Sequence, residues 1–389
     1  MSPTNSTENN TSSQPAKYVK GLEGVVAAET ALSLVDGVES KLLYRGIPIH
    51  ELTENSTFEE VVYLLWTGRL PLSSELVELK KKLSAERQAS SELLSILKLF
   101  PKKGHPMAML RTMISALGLF DPEAEKMDRL TTEAKALRLT AIFPTLIAAF
   151  YRLRENKSPI APDSKLSHAA NFLYMMTGRV PEKEMEKALD TYLILLADHG
   201  LNASTFAARV TTSTQADIYS AITSAIGTLK GDLHGSANQR AMEMILDIGT
   251  PERAEGYVRD LLAQKKKVMG FGHRIYKKED PRATAFREIA QRLCERAGDK
   301  KWMEISNRVE KVMLVDKQIP CNVDFFSASV LYILGFPVDF FTTVFATSRI
   351  AGWSAHVIEQ QSDNRLIRPA ADYVGLRDQH YVPLEKRHH

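Results

Sequence analysis

Histidines and an aspartate that could take part in catalysis lie in four short segments of the chain. The first segment, DHGLNAST at 198–205, follows an apolar run and carries His199. The second, GDLHGSAN at 231–238, places His234 beside a glycine and before a helix-like run. A helix N-terminus disfavours positive charge, so a histidine there tends to be a neutral hydrogen-bond donor. Taken alone, His199 fits a helix-ending histidine and His234 fits a turn histidine as well as a catalytic one.

The third segment, residues 265–282, carries the densest positive charge in the chain. Three lysines precede a Gly-Phe-Gly turn, His273 follows the turn, and Lys277 and Arg282 come shortly after. Such a cationic loop suits phosphates and carboxylates. A solvated lysine run explains the first lysines equally well, and a Gly-x-Gly turn without a third glycine or a preceding strand is not a dinucleotide fingerprint.

The fourth segment, PCNVDFFSAS at 320–329, holds Asp324 between a valine and a phenylalanine. Apolar surroundings raise the pKa of a carboxyl group by desolvation, which suits a general base. An N-cap for the helix-like run that follows is an equally good interpretation. Cys321 is interpreted as a small core residue, because its neighbours are apolar or neutral and no histidine adjoins it.

If the three histidines, Asp324 and several arginines converge, they fit carbon–carbon bond formation from a thioester better than hydrolysis. A carboxylate can take a proton from a thioester methyl group only when a donor stabilises the enolate oxygen, and a neutral histidine can do so. Arginines hold di- and tricarboxylates through paired hydrogen bonds. No nucleophile, metal cluster or electron carrier is evident in the sequence, so neither a cofactor nor a metal is expected.

The elements that must position these residues are predicted to be mostly helical. Apolar residues recur at helical spacing over 182–197 and 215–229, and 56–59 has the pattern of a capping box before another helix. Strand-like runs at Val25–Val26, 33–35 and 41–44 predict a small N-terminal antiparallel sheet. A chain of 389 residues exceeds the usual size of one core, so two domains are expected.

Composition bears on the binding partners, the cellular compartment and the possible membrane spans of the protein. The chain has 50 Lys and Arg against 47 Asp and Glu, a formal charge of +3 that gives no reason to expect nucleic acid or a membrane surface as partner. Two cysteines favour a reducing compartment, and therefore the cytoplasm. The apolar run 139–151 is too short for a membrane span and is predicted to be a buried helix. Residues 1–20 are predicted to form a disordered polar tail.

The four segments, together with ATSRIAGWSAH at 346–356, resemble the citrate synthase family in composition and in order. The resemblance runs from about Gly21 to Arg368, and the polar N-terminus indicates the short bacterial or archaeal type. It implies an all-α fold with a minor N-terminal β element. A large helical domain would comprise residues 21–235 and 336–389, with a small helical domain of residues 236–335 inserted in it. It also implies a homodimer, and the helix faces permit larger assemblies.

The resemblance also implies roles for individual residues. Asp324 would be the base that takes the methyl proton of acetyl-CoA, His234 the donor to the enolate oxygen, and His273 the donor that polarises the oxaloacetate carbonyl. The expected oxaloacetate ligands are His199, His273, Arg282, Arg349 and, from the other subunit, Arg368. The expected CoA contacts are Val268, Met269, Gly270, Phe271 and Gly272 around the adenine and Lys277 at a phosphate.

The expected reaction is condensation of acetyl-CoA with oxaloacetate and water to citrate and CoA, the first step of the citric acid cycle. A 2-methylcitrate synthase, which takes propionyl-CoA, shares every one of these residues, and a one-methylene difference in a pocket changes preference by only about 1–3 kcal/mol. A non-catalytic helical interaction protein is a more remote alternative. It would have no reason to keep His234, His273 and Asp324 together with the arginines.

Overall fold

Apolar residues at helical spacing fold into sixteen α-helices within residues 18–387, the part of the chain that this computed structural model describes. The all-α prediction is confirmed. The helices are α1 (Ile49–Asn55), α2 (Phe58–Thr67), α3 (Ser73–Ala85), α4 (Ser91–Lys98), α5 (Pro106–Leu119), α6 (Arg129–Arg154), α7 (His168–Thr177), α8 (Lys183–Leu196), α9 (Ala203–Ser213), α10 (Ile218–Leu229), α11 (Ala237–Ile248), α12 (Pro251–Ala263), α13 (Pro281–Ala297), α14 (Lys301–Lys317), α15 (Val323–Ile333) and α16 (Phe341–Ser362).

The small N-terminal sheet has three antiparallel strands: β1 (Ser33–Asp36), β2 (Lys41–Tyr44) and β3 (Ile47–Pro48). The first two strands confirm the prediction, with Ser33 paired to Tyr44. The prediction of a strand at Val25–Val26 is wrong, because both residues are exposed outside the sheet and two β-branched residues do not make a strand without a partner. The hairpin touches the charged loop, since the Lys277 backbone N–H donates to the Gly37 carbonyl at 3.2 Å.

Helix α2 begins one residue later than its sequence pattern suggests. The N-cap is Thr57, and Glu60 completes the capping box by accepting from the Thr57 backbone N–H at 2.8 Å. Glu59, which the pattern had assigned to the box, is buried and instead accepts from the His168 backbone N–H at 3.0 Å. The helices predicted over 182–197 and 215–229 are confirmed as α8 and α10.

Two long helices form the centre of the core. In α6, every residue from 139 to 150 is buried, which confirms the predicted buried helix. Within the described residues α6 alone is long and apolar enough to cross a membrane, and 72% of its most apolar window is buried inside the protein, as in a core helix. Helix α16 packs against α6 and also contacts α2, α8, α9 and α10.

Helices α11 to α15 pack mainly on one another, with α13 against α15 and α12 against α14. Helix α13 also packs against α8, and α11 contacts α16, so this group adjoins the helices of the central core. These five helices fall within the predicted small domain of residues 236–335. The division into a large and a small domain stays a prediction.

The described chain separates into two units. Residues 30–367 form the larger one, and residues 18–29 and 368–387, here called the terminal unit, form the other. The terminal unit contains two short 3-10 turns, Lys20–Leu22 and Leu384–Lys386, and the Tyr373 hydroxyl donates to the Leu376 carbonyl at 2.7 Å. Residues 1–17 of the predicted disordered tail lie outside the described residues.

Candidate active site

The loop after α8 buries His199. Helix α8 ends at Leu196, so His199 lies beyond the helix and not in its last turn as the simplest interpretation had it. Its Nε2 lies 3.1 Å from the Tyr276 hydroxyl, and its ring is 5.5 Å from the His273 ring. Burial, followed by the charges of Arg282 and Arg349, holds the pKa of His199 well below its usual range. His199 is therefore a neutral hydrogen-bonding group.

His234 lies in the turn before α11 and is held by Ser204. Its Nε2 accepts from the Ser204 backbone N–H at 3.3 Å and lies 2.8 Å from the Ser204 hydroxyl, which also accepts from the Trp353 indole at 3.1 Å. Because Nε2 is an acceptor, the ring proton is on Nδ1. Burial, with a smaller contribution from the Arg349 charge, lowers the pKa of His234 to about 4.

His273 has the opposite arrangement. Its Nδ1 accepts from the backbone N–H groups of Ile275 at 3.0 Å and Tyr276 at 3.1 Å, so its proton is on Nε2. Burial, and then the charge of Arg282, lowers the pKa of His273 to about 4. The two catalytic candidates are thus both neutral near pH 7, and each presents one N–H group.

The Gly-Phe-Gly turn is joined to the start of α15 by backbone hydrogen bonds. Asn322 donates its N–H to the Gly270 carbonyl at 2.9 Å and its side-chain amide to the Gly272 carbonyl at 2.8 Å. Gly270 has a φ of +83°, and a Cβ there would lie 2.7 Å from the Cβ of Phe325, so only glycine fits. The Phe271 and Phe325 rings are 4.6 Å apart. The turn that carries His273 is thereby placed against the segment that carries Asp324.

Asp324 is the second residue of α15 and is half-buried. The N-cap is Asn322, whose side-chain oxygen accepts from the Asp324 backbone N–H at 3.0 Å, so the alternative of Asp324 as the N-cap is wrong. Desolvation raises the pKa of Asp324 to about 7, against the opposing effect of the Arg282 charge. A carboxyl group with this pKa is partly ionised near neutral pH and can act as a general base.

Arg282 forms a buried ion pair with Asp280. The guanidinium Nε and Nη2 donate to the two carboxylate oxygens at 2.9 and 2.8 Å. Asp280 also accepts from the Val323 backbone N–H at 3.0 Å, so the same carboxylate ties the start of α13 to the start of α15. Both charges of this clamp act on Asp324, since Arg282 lowers the pKa of that carboxyl group and Asp280 raises it.

Arg349 lies inside the protein on α16, with only 2% of its surface exposed. Its Nε donates to the Leu196 carbonyl at 2.7 Å, and its guanidinium carbon lies 4.8 Å from the centre of the Phe345 ring. Burial lowers the pKa of Arg349, and the charge of Asp198 opposes that effect. Two buried guanidinium groups in one region create a site for an anion with more than one negative charge.

Electrostatic interactions with His199 or Asp324 connect six of the predicted site residues. The pKa of His199 is lowered, after burial, by Arg282, Arg349, His273 and His234, and that of Asp324 responds to both arginines. Arg368 is exposed and belongs to the terminal unit. Of the predicted CoA contacts, Val268 is buried, Met269 and Phe271 are half-buried, and Lys277 is exposed.

Several residues with a clear part in this geometry were not singled out from the sequence. They are Asp198, Ser204, Tyr276, Asp280 and Asn322. All five lie inside the four segments, so position in a segment was the available signal, but spacing along the chain does not show which side chains meet. Cys321 is buried, and its thiol donates to Glu310 at 3.2 Å, as expected of a core residue. No group of three potential metal ligands occurs among residues 18–387.

Comparison with known proteins shows which family the chain resembles. Residues 21–370 match the family described as citrate synthase, C-terminal domain. Citrate synthase 2 of Bacillus subtilis is 49% identical, covering 95% of this chain and 99% of that protein. A 2-methylcitrate synthase of Mycobacterium tuberculosis is 43% identical, covering 94% and 92%. A solved ternary complex of Thermoplasma acidophilum citrate synthase with carboxymethyl coenzyme A and oxaloacetate has a TM-score of 0.91 at 34% identity, covering 95% and 100%.

The fold and the matched sequence define an enzyme of the transferase class. The chain belongs to the citrate synthase family. The resemblance inferred from the motifs is confirmed, and so is the interpretation of the chain as an enzyme with citrate synthase as its function.

We predict that His234 and His273 are neutral and in opposite tautomers at pH 7. Nδ1 of His234 and Nε2 of His273 should be protonated, because in each ring the other nitrogen accepts a backbone hydrogen bond. Ring ¹⁵N chemical shifts of histidine-labelled protein measure this directly. His234→Gln and His273→Gln variants assign the signals. The same tautomer in both rings, or a charged ring at pH 6, would contradict the geometry.

Proposed function

We propose that this protein condenses acetyl-CoA with oxaloacetate and water to give citrate and CoA. The observation that carries the proposal is the combination of a desolvated carboxyl group, Asp324, with two neutral histidines that present oppositely placed N–H groups near two buried arginines. Each of these features is needed for a different step of a thioester condensation. The bound carboxymethyl coenzyme A and oxaloacetate of the Thermoplasma relative support the same pair of substrates.

In the first step, the Asp324 carboxylate takes a proton from the methyl group of acetyl-CoA. The electron pair of that C–H bond moves onto the thioester carbonyl, and His234 donates its Nδ1–H to the oxygen on which negative charge develops. A neutral histidine is the better donor here, because it carries no positive charge that the nearby arginines would repel. The pKa of Asp324, near 7, makes it a stronger base than an exposed aspartate.

In the second step, the enolate carbon attacks the keto carbon of oxaloacetate. His273 donates its Nε2–H to the keto oxygen, which receives the electron pair of the carbonyl bond. Arg349, His199 and the Nη1 nitrogen of Arg282, which the Asp280 pair does not use, would hold the two carboxylates. Attack of water on the resulting citryl thioester then releases citrate and CoA. None of these steps requires a cofactor or a metal.

We assign CoA binding to the turn of residues 268–272 and to Lys277. The turn offers backbone groups and the half-buried Met269 and Phe271 to an adenine, and the exposed Lys277 ammonium offers a charge to a phosphate. We also place the enzyme in the cytoplasm, where the two buried free cysteines would stay reduced.

We propose a homodimer in which Arg368 completes the oxaloacetate site of the partner subunit. In a single chain Arg368 is exposed, and neighbouring positions of the terminal unit expose Tyr373, Val374 and Leu376, which a partner would cover. Assemblies larger than a dimer are compatible with the helical faces.

The decisive assay is oxaloacetate-dependent release of free CoA thiol, run in parallel with acetyl-CoA and propionyl-CoA. We expect release with a preference for acetyl-CoA. A preference for propionyl-CoA would instead make the protein a 2-methylcitrate synthase, the activity named for the Mycobacterium relative at 43% identity. Absence of release with either thioester would favour the non-catalytic interpretation and contradict the proposal.

Asp324→Asn should reduce turnover by about 10²- to 10⁴-fold, because an amide cannot accept the methyl proton. Oxaloacetate binding, measured by calorimetry, should persist in this variant. Ser329→Ala, which removes a hydroxyl further along the same helix whose partner is the Ser306 hydroxyl at 3.5 Å, is the control and should retain most activity. Near-normal turnover of Asp324→Asn would remove the aspartate from the proposed mechanism.

Mixed dimers test the role of Arg368. Homodimers of Arg368→Ala and of His234→Ala should both be nearly inactive, whereas a refolded equimolar mixture should recover about a quarter of the wild-type activity. Half of the mixed population would be heterodimers, and each heterodimer would have one intact site made of His234 from one subunit and Arg368 from the other. No recovery in the mixture would show that Arg368 serves its own subunit.

A further inference from the structure

One face of α16 holds the loop that carries His199. Arg349, Gly352 and His356 are three and four residues apart, so they lie on the same side of the helix. Arg349 Nε donates to the Leu196 carbonyl at 2.7 Å, and the Gly352 backbone N–H donates to the Ala197 carbonyl at 3.1 Å. A Cβ at Gly352 would lie 2.3 Å from that carbonyl oxygen, so the helix approaches the loop as closely as glycine allows.

His356 continues this face to Asp198, the residue next to His199. The His356 Nε2 and the Asp198 Oδ1 are 3.3 Å apart, and both side chains are completely buried. Neither atom has a hydrogen-bond partner among the described residues, so each is left facing the other across 3.3 Å. His356 Nε2 and Asp198 Oδ1 are therefore the polar atoms that each can interact with inside the protein.

Arg209 fixes the orientation of the His356 ring. Its Nη1 lies 3.2 Å from His356 Nδ1, and because a guanidinium can only donate, Nδ1 must be the acceptor. The ring proton is therefore on Nε2 and faces Asp198. Arg209 is itself held by Glu359 at 2.6 Å and by Gln360 at 2.9 Å.

The second oxygen of Asp198 binds the residue that follows His199 in the chain. Oδ2 accepts from the Ser33 hydroxyl and from the Gly200 backbone N–H at 3.2 Å. The Tyr44 hydroxyl adds bonds to the Asp198 backbone at 2.9 and 3.1 Å. Burial alone would raise the pKa of Asp198, but His356, Arg349 and Ser33 lower it, so the carboxylate is ionised. Both neighbours of His199 in the chain are fixed by this one carboxylate.

We propose that His356 is a positioning residue for oxaloacetate binding: by presenting its Nε2–H to the Asp198 carboxylate it fixes the loop from which His199 reaches the substrate. The proposal rests on the proposed function, since it assumes that His199 binds oxaloacetate. Helix α16 then positions two side chains that bind oxaloacetate. It carries Arg349 itself, and it positions His199 through His356 and Asp198. His356 itself touches no substrate.

The test compares His356→Leu with His356→Gln. Leu removes the donor and leaves Asp198 Oδ1 unpaired, and we expect the KM and the calorimetric Kd for oxaloacetate to rise about 10- to 100-fold, the size of effect that a small misplacement of a substrate ligand produces. The KM for acetyl-CoA should change little. Gln carries an amide N–H at about the reach of Nε2 and should recover most of the loss.

Ser354→Ala is the matched control. Ser354 is buried on the same helix two residues away, and its hydroxyl has no hydrogen-bond partner among the described residues. This variant should leave both KM values unchanged. If His356→Leu does not fold, Asp198→Asn serves in its place, because it keeps the shape of the side chain and removes the charge that His356 faces.

A purely structural role predicts a different result. A fall of the apparent kcat in proportion to lost folded protein, with both KM values and the oxaloacetate Kd of His356→Leu unchanged, would overturn the proposal. Failure of His356→Gln to recover affinity would also overturn it. Failure of the proposed function is distinguishable, because the wild-type protein itself would then release no CoA with oxaloacetate.

Discussion

Partial burial of a small group of ionisable side chains is the constraint on which this site depends. In water, Asp324 would be a weak base and the histidines would be partly charged near neutral pH. Burial reverses both tendencies, since it raises the pKa of Asp324 to about 7 and lowers those of His234 and His273 to about 4. The same burial makes the charges of Arg282 and Arg349 effective toward an anion. Base, donors and anion site thus have one physical cause.

The fold maintains this burial by joining distant segments at few points. Asn322 bonds the Gly-Phe-Gly turn to α15, and Asp280 clamps Arg282 while it accepts from the first residue of that helix. On the opposite side, α16 contacts the end of α8 through Arg349, Gly352 and His356. Each junction uses backbone groups or buried charges, which are costly to leave unpaired. The arrangement therefore tolerates little displacement of the reacting groups.

The sequence predicted what depends on local pattern. Helical periodicity identified α8 and α10, and the apolar neighbours of Asp324 predicted a raised pKa, the direction in which desolvation shifts it in the structure. Local pattern failed where a tertiary contact decided the outcome. Glu59 fits a capping box, but its carboxylate accepts a hydrogen bond from the His168 backbone N–H. Val25 and Val26 do not pair with any strand of the sheet. The sequence analysis did not single out His356, because nothing in its spacing shows that it faces Asp198.

The ionisation of Asp324 in the ligand-free protein shows directly whether burial makes this carboxyl group a base. Side-chain ¹³C chemical shifts of aspartate-labelled protein, recorded across pH and compared with Asp324→Asn to assign the signal, give the midpoint of its titration. We predict a midpoint near 7, with the carboxyl group protonated below that pH and ionised above it. A midpoint near 4, as in an exposed aspartate, would mean that the site does not desolvate its base and would contradict the account.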